Sequence, residues 1–250
     1  MTALVHLRPN STASLRLVCF PHAGGSASFF REWADHVPLG AELMAVQYPG
    51  HEGRFRDPLI PTMGGLADEV TAELLAAPVR RTVLFGHSMG ASVAYETLLR
   101  LEAAGATHFT RLCVSGRAAS GFPADVPQQP LSDAELDSRL RTLGGTDPQV
   151  LESAALRELF FPIIRNDFFL VDRYRPDPAA PPVHAEMIVL TGDADPRMSE
   201  AKADDWAALT TGPSTTHVLP GDHFYLSAHT ETLARLAMTA VPAAARPVDA

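Results

Sequence analysis

The sequence predicts an α/β chain, with a mostly parallel central sheet flanked by helices and a helical segment inserted late in the chain. Short apolar runs alternate with helix-patterned stretches from residue 15 to residue 219. One of these runs, Thr82-Val83-Leu84-Phe85, drives directly into G-x-S-x-G at Gly86–Gly90, and a helix-forming stretch follows. The interval between a strand ending at Gly116 and the next beginning at Glu186 is too long for a simple crossover, so it reads as an insertion.

In chain order, the strand candidates cover 15–20, 42–48, 82–85, 110–116, 186–191 and 215–219. Between them, Phe29 to Val37 and Leu66 to Ala77 carry apolar residues at helical spacing, such as Leu66, Val70 and Leu74, and are expected to pack on the sheet. The inserted interval, about 121–180, reads as a helical lid. Ser132 begins one of its helices as N-cap, with Glu135 at the third helical position completing a capping box, and Gly144-Gly145 ends it. A second helical region covers about Gln149 to Tyr174 and is expected to break or kink near Pro162. Its Phe160, Phe161, Ile163, Ile164, Phe168 and Phe169 exceed what one buried stripe requires. Either they only anchor the lid, or some of them, with Phe168 and Phe169 as candidates, line a substrate pocket. There are no internal repeats, and residues 1–250 read as a single domain with loose ends at 1–14 and 241–250.

Composition bounds the function. With 250 residues, 46% of them hydrophobic, the chain can bury one sizeable core. A net charge of −9 argues against a nucleic-acid partner, and no stretch is long and apolar enough to span a bilayer. Met1 to Ser14 lacks a signal-type apolar run, which predicts a cytoplasmic protein. Cys19 and Cys113 fall in predicted buried strands, without spacing for a metal site, and read as small core residues in a reducing compartment.

The chemistry centres on Ser88. A strand-to-helix turn this tight strains the serine backbone and admits only glycine-sized neighbours, so the hydroxyl is presented at the sheet edge beside a helix N-terminus. A serine hydroxyl is a weak nucleophile, so a histidine base and a carboxylate to hold it are required later in the chain. Asp193-Ala194-Asp195 follows the 186–191 strand, and Asp222-His223 follows the next. His223 occupies the loop where the base is needed. Asp195 is preferred to Asp193, which lies nearer the strand end and is better suited to fixing the turn. Two backbone N–H donors must face the oxyanion, and Met89 and Ala23, in the loop after 15–20, are the candidates. A nucleotide site in that loop is disfavoured, because no G-K-[ST] follows and no G-x-G-x-x-G is present.

F-P-H-A-G-G-S at 20–26, Y-P-G-H-E-G-R at 48–54, G-H-S-M-G-A at 86–91, G-D-A-D-P at 192–196 and G-D-H-F-Y-L at 221–226, taken together, resemble a type II thioesterase. These stand-alone editing enzymes accompany polyketide synthases and nonribosomal peptide synthetases, and the resemblance runs from about Leu15 to about Ala240. It implies an α/β-hydrolase fold, a triad on Ser88, Asp195 and His223, oxyanion donors on Ala23 and Met89, and no metal or redox cofactor. It further implies an acyl or peptidyl carrier protein as partner, whose phosphopantetheine arm bears the substrate. Arg117-Ala118-Ala119-Ser120 departs from the proline-rich segment common in relatives, which bears on the pocket entrance. If an acidic carrier docks on this acidic chain, Arg157, Arg165, Arg173 and Arg175 are candidate contacts, equally readable as solvated helix charges. A carboxylester hydrolase or lipase, or an acyltransferase, uses the same triad, so the triad alone leaves these open.

Overall fold

In the computed structural model, which describes residues 2–119, 129–198, 202 and 205–240, seven strands form one sheet. They are β1 (Leu4–Arg8), β2 (Leu15–Phe20), β3 (Ala41–Val46), β4 (Arg81–His87), β5 (Phe109–Ser115), β6 (Glu186–Gly192) and β7 (Ser214–Leu219), in the order β1-β3-β2-β4-β5-β6-β7. From β2 to β7 every pairing is parallel, and β1 alone runs antiparallel, against β3.

Alternation within the strands builds two apolar layers, because successive side chains point to opposite faces. Val18, Phe20, Leu84, Leu112, Val114, Met187 and Val189 join the layer under α1 (Met63–Ala76), α2 (Met89–Ala103) and α5 (Ala154–Arg173). Leu17, Cys19, Val83, Phe85, Cys113, Ile188 and Leu190 join the layer under α6 (Thr230–Met238) and a 3-10 helix at Ala27–Asp35. Burial on both faces makes these strands read as near-continuous apolar runs. At β2 the strand order reverses, with β3 on one side and β4 on the other. Loops leaving adjacent strand ends in opposite directions open a crevice there, so the C-terminal ends of β2 and β4 are where a site is expected.

Three expectations need correction. The first fourteen residues are not loose throughout, since Leu4–Arg8 pairs with β3 and the N–H groups of Ala3 and Leu4 donate to the Glu73 carboxylate of α1. Residues 27–35 wind as a 3-10 helix, whose three-residue turn suits the buried pair Phe30 and Trp33. The second inserted helical region breaks at Ser153, between α4 (Pro148–Glu152) and α5, and not at Pro162, which lies inside α5. Ser153 ends one helix and caps the next, its hydroxyl accepting from Leu156 N–H. The capping box of Ser132 and Glu135 begins α3 (Asp133–Leu143), and Gly144 ends it with φ 73°. Residues 120–128 of the inserted interval and the tail at 241–250 lie outside the described residues.

Two buried guanidinium groups fasten the sheet away from the site. Arg111 of β5 donates to Glu186 and to the carbonyls of Ala237 and Thr239, closing the last helix onto the strands. Arg16 of β2, 2% exposed, donates through Nε to Glu42 of β3 at 2.6 Å. Breaking a buried pair from one side strands the other charge. Glu42→Gln is therefore expected to lower the unfolding free energy by about 3–5 kcal/mol, read from the shift of the urea midpoint by circular dichroism.

Candidate active site

Ser88 caps α2 with φ 54° and ψ −116°, one of three non-glycine residues at positive φ among the described residues. Such a conformation costs about 1–3 kcal/mol and persists only where the surroundings over-determine it. Here they do. A Cβ on Gly86 would fall on the Gly90 carbonyl, and one on Gly90 would fall on the Phe20 carbonyl at the end of β2. Ser88 N–H donates to the Ser115 carbonyl of β5 at 2.7 Å, which pins the turn to the neighbouring strand.

Across the crevice, the loops after β6 and β7 bring Asp195 and His223 together. His223 Nδ1 lies 2.8 Å from Asp195 Oδ2, with both side chains almost fully buried. The other Asp195 oxygen accepts from Arg197 N–H at 2.9 Å, so the carboxylate is held from two sides. Asp193 is used differently, accepting from Gly221 N–H at 2.9 Å and tying the two loops together. Ser88, His223, Ala23 and Phe168 line one small cavity of about 20 Å³, room for a single water. Phe168 sits under the Arg139 guanidinium at 4.1 Å, whereas Phe169 is half-buried under Arg173 and lines neither this cavity nor the larger one beside it.

Of the two candidate oxyanion donors, Met89 occupies the first turn of α2, where helix N–H groups lack intrahelical partners. In the β2 loop, Gly24 N–H is engaged by Asp167 Oδ2 at 2.8 Å and Gly25 N–H by the His22 carbonyl at 2.9 Å. Ala23 precedes both and faces the Ser88 cavity. A second cavity, of about 210 Å³, shares His22, Ala23, Leu140 and Thr146 with the first and extends toward Phe160, Ile163 and Ile164.

Sequence reasoning singled out none of the α3 contributions to this wall. Leu140, Leu143 and Gly144 reach the Ser88 cavity from an amphipathic helix whose apolar positions look like ordinary core, so no local signal marks them. Arg117, in the departing segment, is buried, and its guanidinium donates to the Val171 carbonyl of α5. Ser120 lies outside the described residues. The four arginines weighed for docking all have partners within the chain: Arg157 stacks on Phe161, Arg165 pairs with Asp133, Arg173 stacks on Phe169 and Arg175 donates to the Asp172 carbonyl. Among the described residues, no group of three or more His, Cys, Asp or Glu side chains could hold a metal ion, and no helix is long and apolar enough to cross a membrane.

Two further imidazoles crowd the pair. The His87 ring centre lies 5.0 Å from that of His223, with Nδ1 2.9 Å from Ser115 Oγ, and His22 stands edge-on to Phe29 and Phe224 at 4.8 Å. Burial, then the proximity of His223 and His51, lowers His22 to about 3. Burial and the same kind of crowding, from His223 and His22, hold His87 well below its usual value. In the unfolded chain both would bind protons from about pH 6.5 downward, whereas the native state resists. Their stabilising effect is therefore complete above that pH and lost as the pH falls below it. Thermal melts between pH 7 and pH 5 are expected to show a steady fall in Tm, with a shallower slope for His87→Gln.

Residues 15–240 match the model of the thioesterase domain. A "Probable cadicidin biosynthesis thioesterase" of Streptomyces griseus is 37% identical over 90% of this chain, which spans 62% of that relative's length. Thioesterase PikA5 of Streptomyces venezuelae is 36% identical over 89% of the chain and 78% of its own length. The solved type II thioesterase BorB, from the borrelidin biosynthetic cluster, superposes with a TM-score of 0.81 at 35% identity, covering 93% of this chain and 95% of that one. With the match running from β2 through α6, the chain belongs to the thioesterase family.

Proposed function

We propose that this protein hydrolyses acyl thioesters carried on the phosphopantetheine arm of acyl or peptidyl carrier proteins, clearing aberrant or stalled groups from a polyketide synthase or nonribosomal peptide synthetase. The observation that carries the reading is the buried His223–Asp195 pair, with His223 and a strained Ser88 lining one water-sized cavity. The likeness to biosynthetic thioesterases supports the choice of leaving group and carrier.

In this mechanism Ser88 Oγ attacks the thioester carbonyl while His223 takes its proton. Nδ1 of His223 is engaged by Asp195, which leaves Nε2 as the base, and the carboxylate stabilises the imidazolium that forms. The N–H groups of Met89 and Ala23 hold the oxyanion, and losing one such donor costs about 3 kcal/mol. The His223 imidazolium gives that proton to the departing pantetheine sulfur, leaving an acyl-serine and a neutral imidazole. Water then enters, His223 takes its proton, and collapse of the second oxyanion releases the acid as His223 returns the proton to Ser88 Oγ. The phosphopantetheine belongs to the substrate, and the protein supplies no cofactor of its own. Helices α3 to α5 serve as the lid, with Phe168 in the acyl wall. The protein works where its carrier does, in the cytoplasm, and the buried thiols Cys19 and Cys113 are compatible with a reducing compartment.

The test is mass-spectrometric hydrolysis of short and long acyl groups on a phosphopantetheinylated carrier, beside matched oxygen esters. Carrier thioesters are expected to be cleared preferentially, and Ser88→Ala to abolish both clearance and fluorophosphonate labelling. Asp195→Asn is expected to fold normally and lose about 10³–10⁴-fold in kcat, while full activity would move the role to Asp193. Faster cleavage of oxygen esters would make the protein a general esterase. Phe168→Ala is expected to shift the preferred chain length, with Phe169→Ala shifting it less.

A further inference from the structure

A second buried carboxylate–histidine pair lies on the far side of the Ala23 loop. Asp167, on α5 and 2% exposed, accepts the Gly24 N–H at 2.8 Å through the same oxygen that lies 3.0 Å from His51 Nε2. His51 follows β3, is 6% exposed, and places Nδ1 3.1 Å from the Pro49 carbonyl oxygen. A carbonyl and a carboxylate can only accept, so an imidazole between them is best satisfied with both nitrogens protonated. Burial disfavours that charge, but the Asp167 carboxylate outweighs it, and His51 is shifted upward from its ordinary value. The close approach of Asp167 to His51 and its bond from Gly24 join the inserted helices to the two loops that flank the crevice.

The Ala23 loop is otherwise held by neutral bonds or by groups nearer the surface. Tyr48 donates to the Pro21 carbonyl at 3.3 Å, Gln47 accepts from Ala27 N–H at 3.2 Å, and Ser26 donates to Glu52 at 2.8 Å. None of these touches Ala23 or its immediate neighbours in the chain, and the bond within the loop that does, from Gly25 N–H to the His22 carbonyl, is a neutral turn bond. The carboxylate of Asp167 also does, one residue on, and charge-assisted bonds of this kind are about twice as strong as neutral ones.

We propose that Asp167 is the positioning residue for the oxyanion site: by holding Gly24 N–H it fixes the direction of the adjacent Ala23 N–H. This rests on the reading of Ala23 as an oxyanion donor. Asp167 is also the chain neighbour of Phe168, which lines the Ser88 cavity. One turn of α5 thus supplies a wall of the cavity and the clamp on the donor loop. A displacement of α5 would disturb both together, so the oxyanion site is complete only while the inserted helices are seated.

The proposal is tested with Asp167→Ala, Asp167→Asn and His51→Gln, using kinetics on an acyl-carrier thioester, Tm, and binding of an alkylboronic acid that forms a tetrahedral adduct at Ser88. Expected is a fall in kcat of about 10- to 100-fold for Asp167→Ala, less than the loss of a whole oxyanion donor. KM should be little changed, and boronate affinity should fall in step with kcat. Asp167→Asn retains an oxygen for Gly24 N–H but only a neutral bond, and is expected to recover part of the loss and remain below the unaltered protein. If Asp167→Ala does not fold, Asp167→Asn and His51→Gln carry the comparison, with kcat and boronate affinity falling further in His51→Gln than Tm accounts for. Unchanged kcat in the folded variants would overturn the proposal, as would a fall in kcat with undiminished boronate affinity. Fluorophosphonate labelling of Ser88 in the unaltered protein separates the two failures. If Ser88 does not react, the functional reading itself fails, whereas a reactive Ser88 with indifferent Asp167 variants sinks only the positioning role.

Discussion

The contact on which the site depends is backbone against backbone, where Gly90 at the start of α2 meets the Phe20 carbonyl at the end of β2. No side chain fits between them, so α2 can start only where two glycines bracket Ser88, and the serine absorbs the geometry as a positive φ. The same approach brings the α2 N-terminus beside the loop that leaves β2. The two candidate oxyanion donors therefore come from elements that touch at one point. Because the strand order reverses at β2, the loops that must diverge there do so over the serine and not over a closed surface.

Around that contact, charge is arranged by what it is buried with. His223 and His51 each meet a carboxylate at hydrogen-bonding distance, whereas His22 and His87 meet aromatic rings and other imidazoles. Desolvation then keeps His22 and His87 neutral through the working range, so neither places a fixed positive charge beside His223. A neutral His87 can instead share a hydrogen-bonded line with Ser115 and Tyr225, the latter two 2.7 Å apart, which props the strand beneath the serine. Four histidines within the same few residues of the crevice thus have different electrostatic roles, set by their partners and not by their position in the sequence.

The elbow was legible because its cause is local: five residues contain the turn, its strain and its relief. Asp195 and His223 could be found because each follows a strand whose apolar pattern is strong, so the loop positions were countable along the chain. Strand β1 was not, since five residues of mixed polarity acquire their state from pairing with β3 and from the Glu73 carboxylate, both distant in sequence. Pro162 misled for the opposite reason. A proline costs a helix one hydrogen bond, but burial of Phe161, Ile163 and Ile164 on either side outweighs it, while Ser153 supplies the cap that breaks the helix earlier. Asp167 carried no signal at all, because the bond that gives it meaning spans 143 residues, and His51 was visible only as a member of Y-P-G-H-E-G-R, with nothing to pair it to Asp167.

The inserted helices also bear on why water should be the acceptor in the proposed reaction. The cavity at Ser88 holds about 20 Å³, close to one water, and its walls include Leu140, Leu143 and Phe168 from the insertion. An alcohol or amine large enough to accept an acyl group would have to displace those side chains, whereas a water needs no such movement. The neighbouring cavity of about 210 Å³, joined through His22 and Ala23, offers the longer space that an acyl chain or a pantetheine arm requires. The two cavities meet at His22, Ala23, Leu140 and Thr146, so an acyl chain that reaches Ser88 runs past Leu140 and Phe168, and the space then left beside the serine is closer in size to a water than to an alcohol or amine. That limited room favours hydrolysis over transfer without any change in the residues that perform the chemistry.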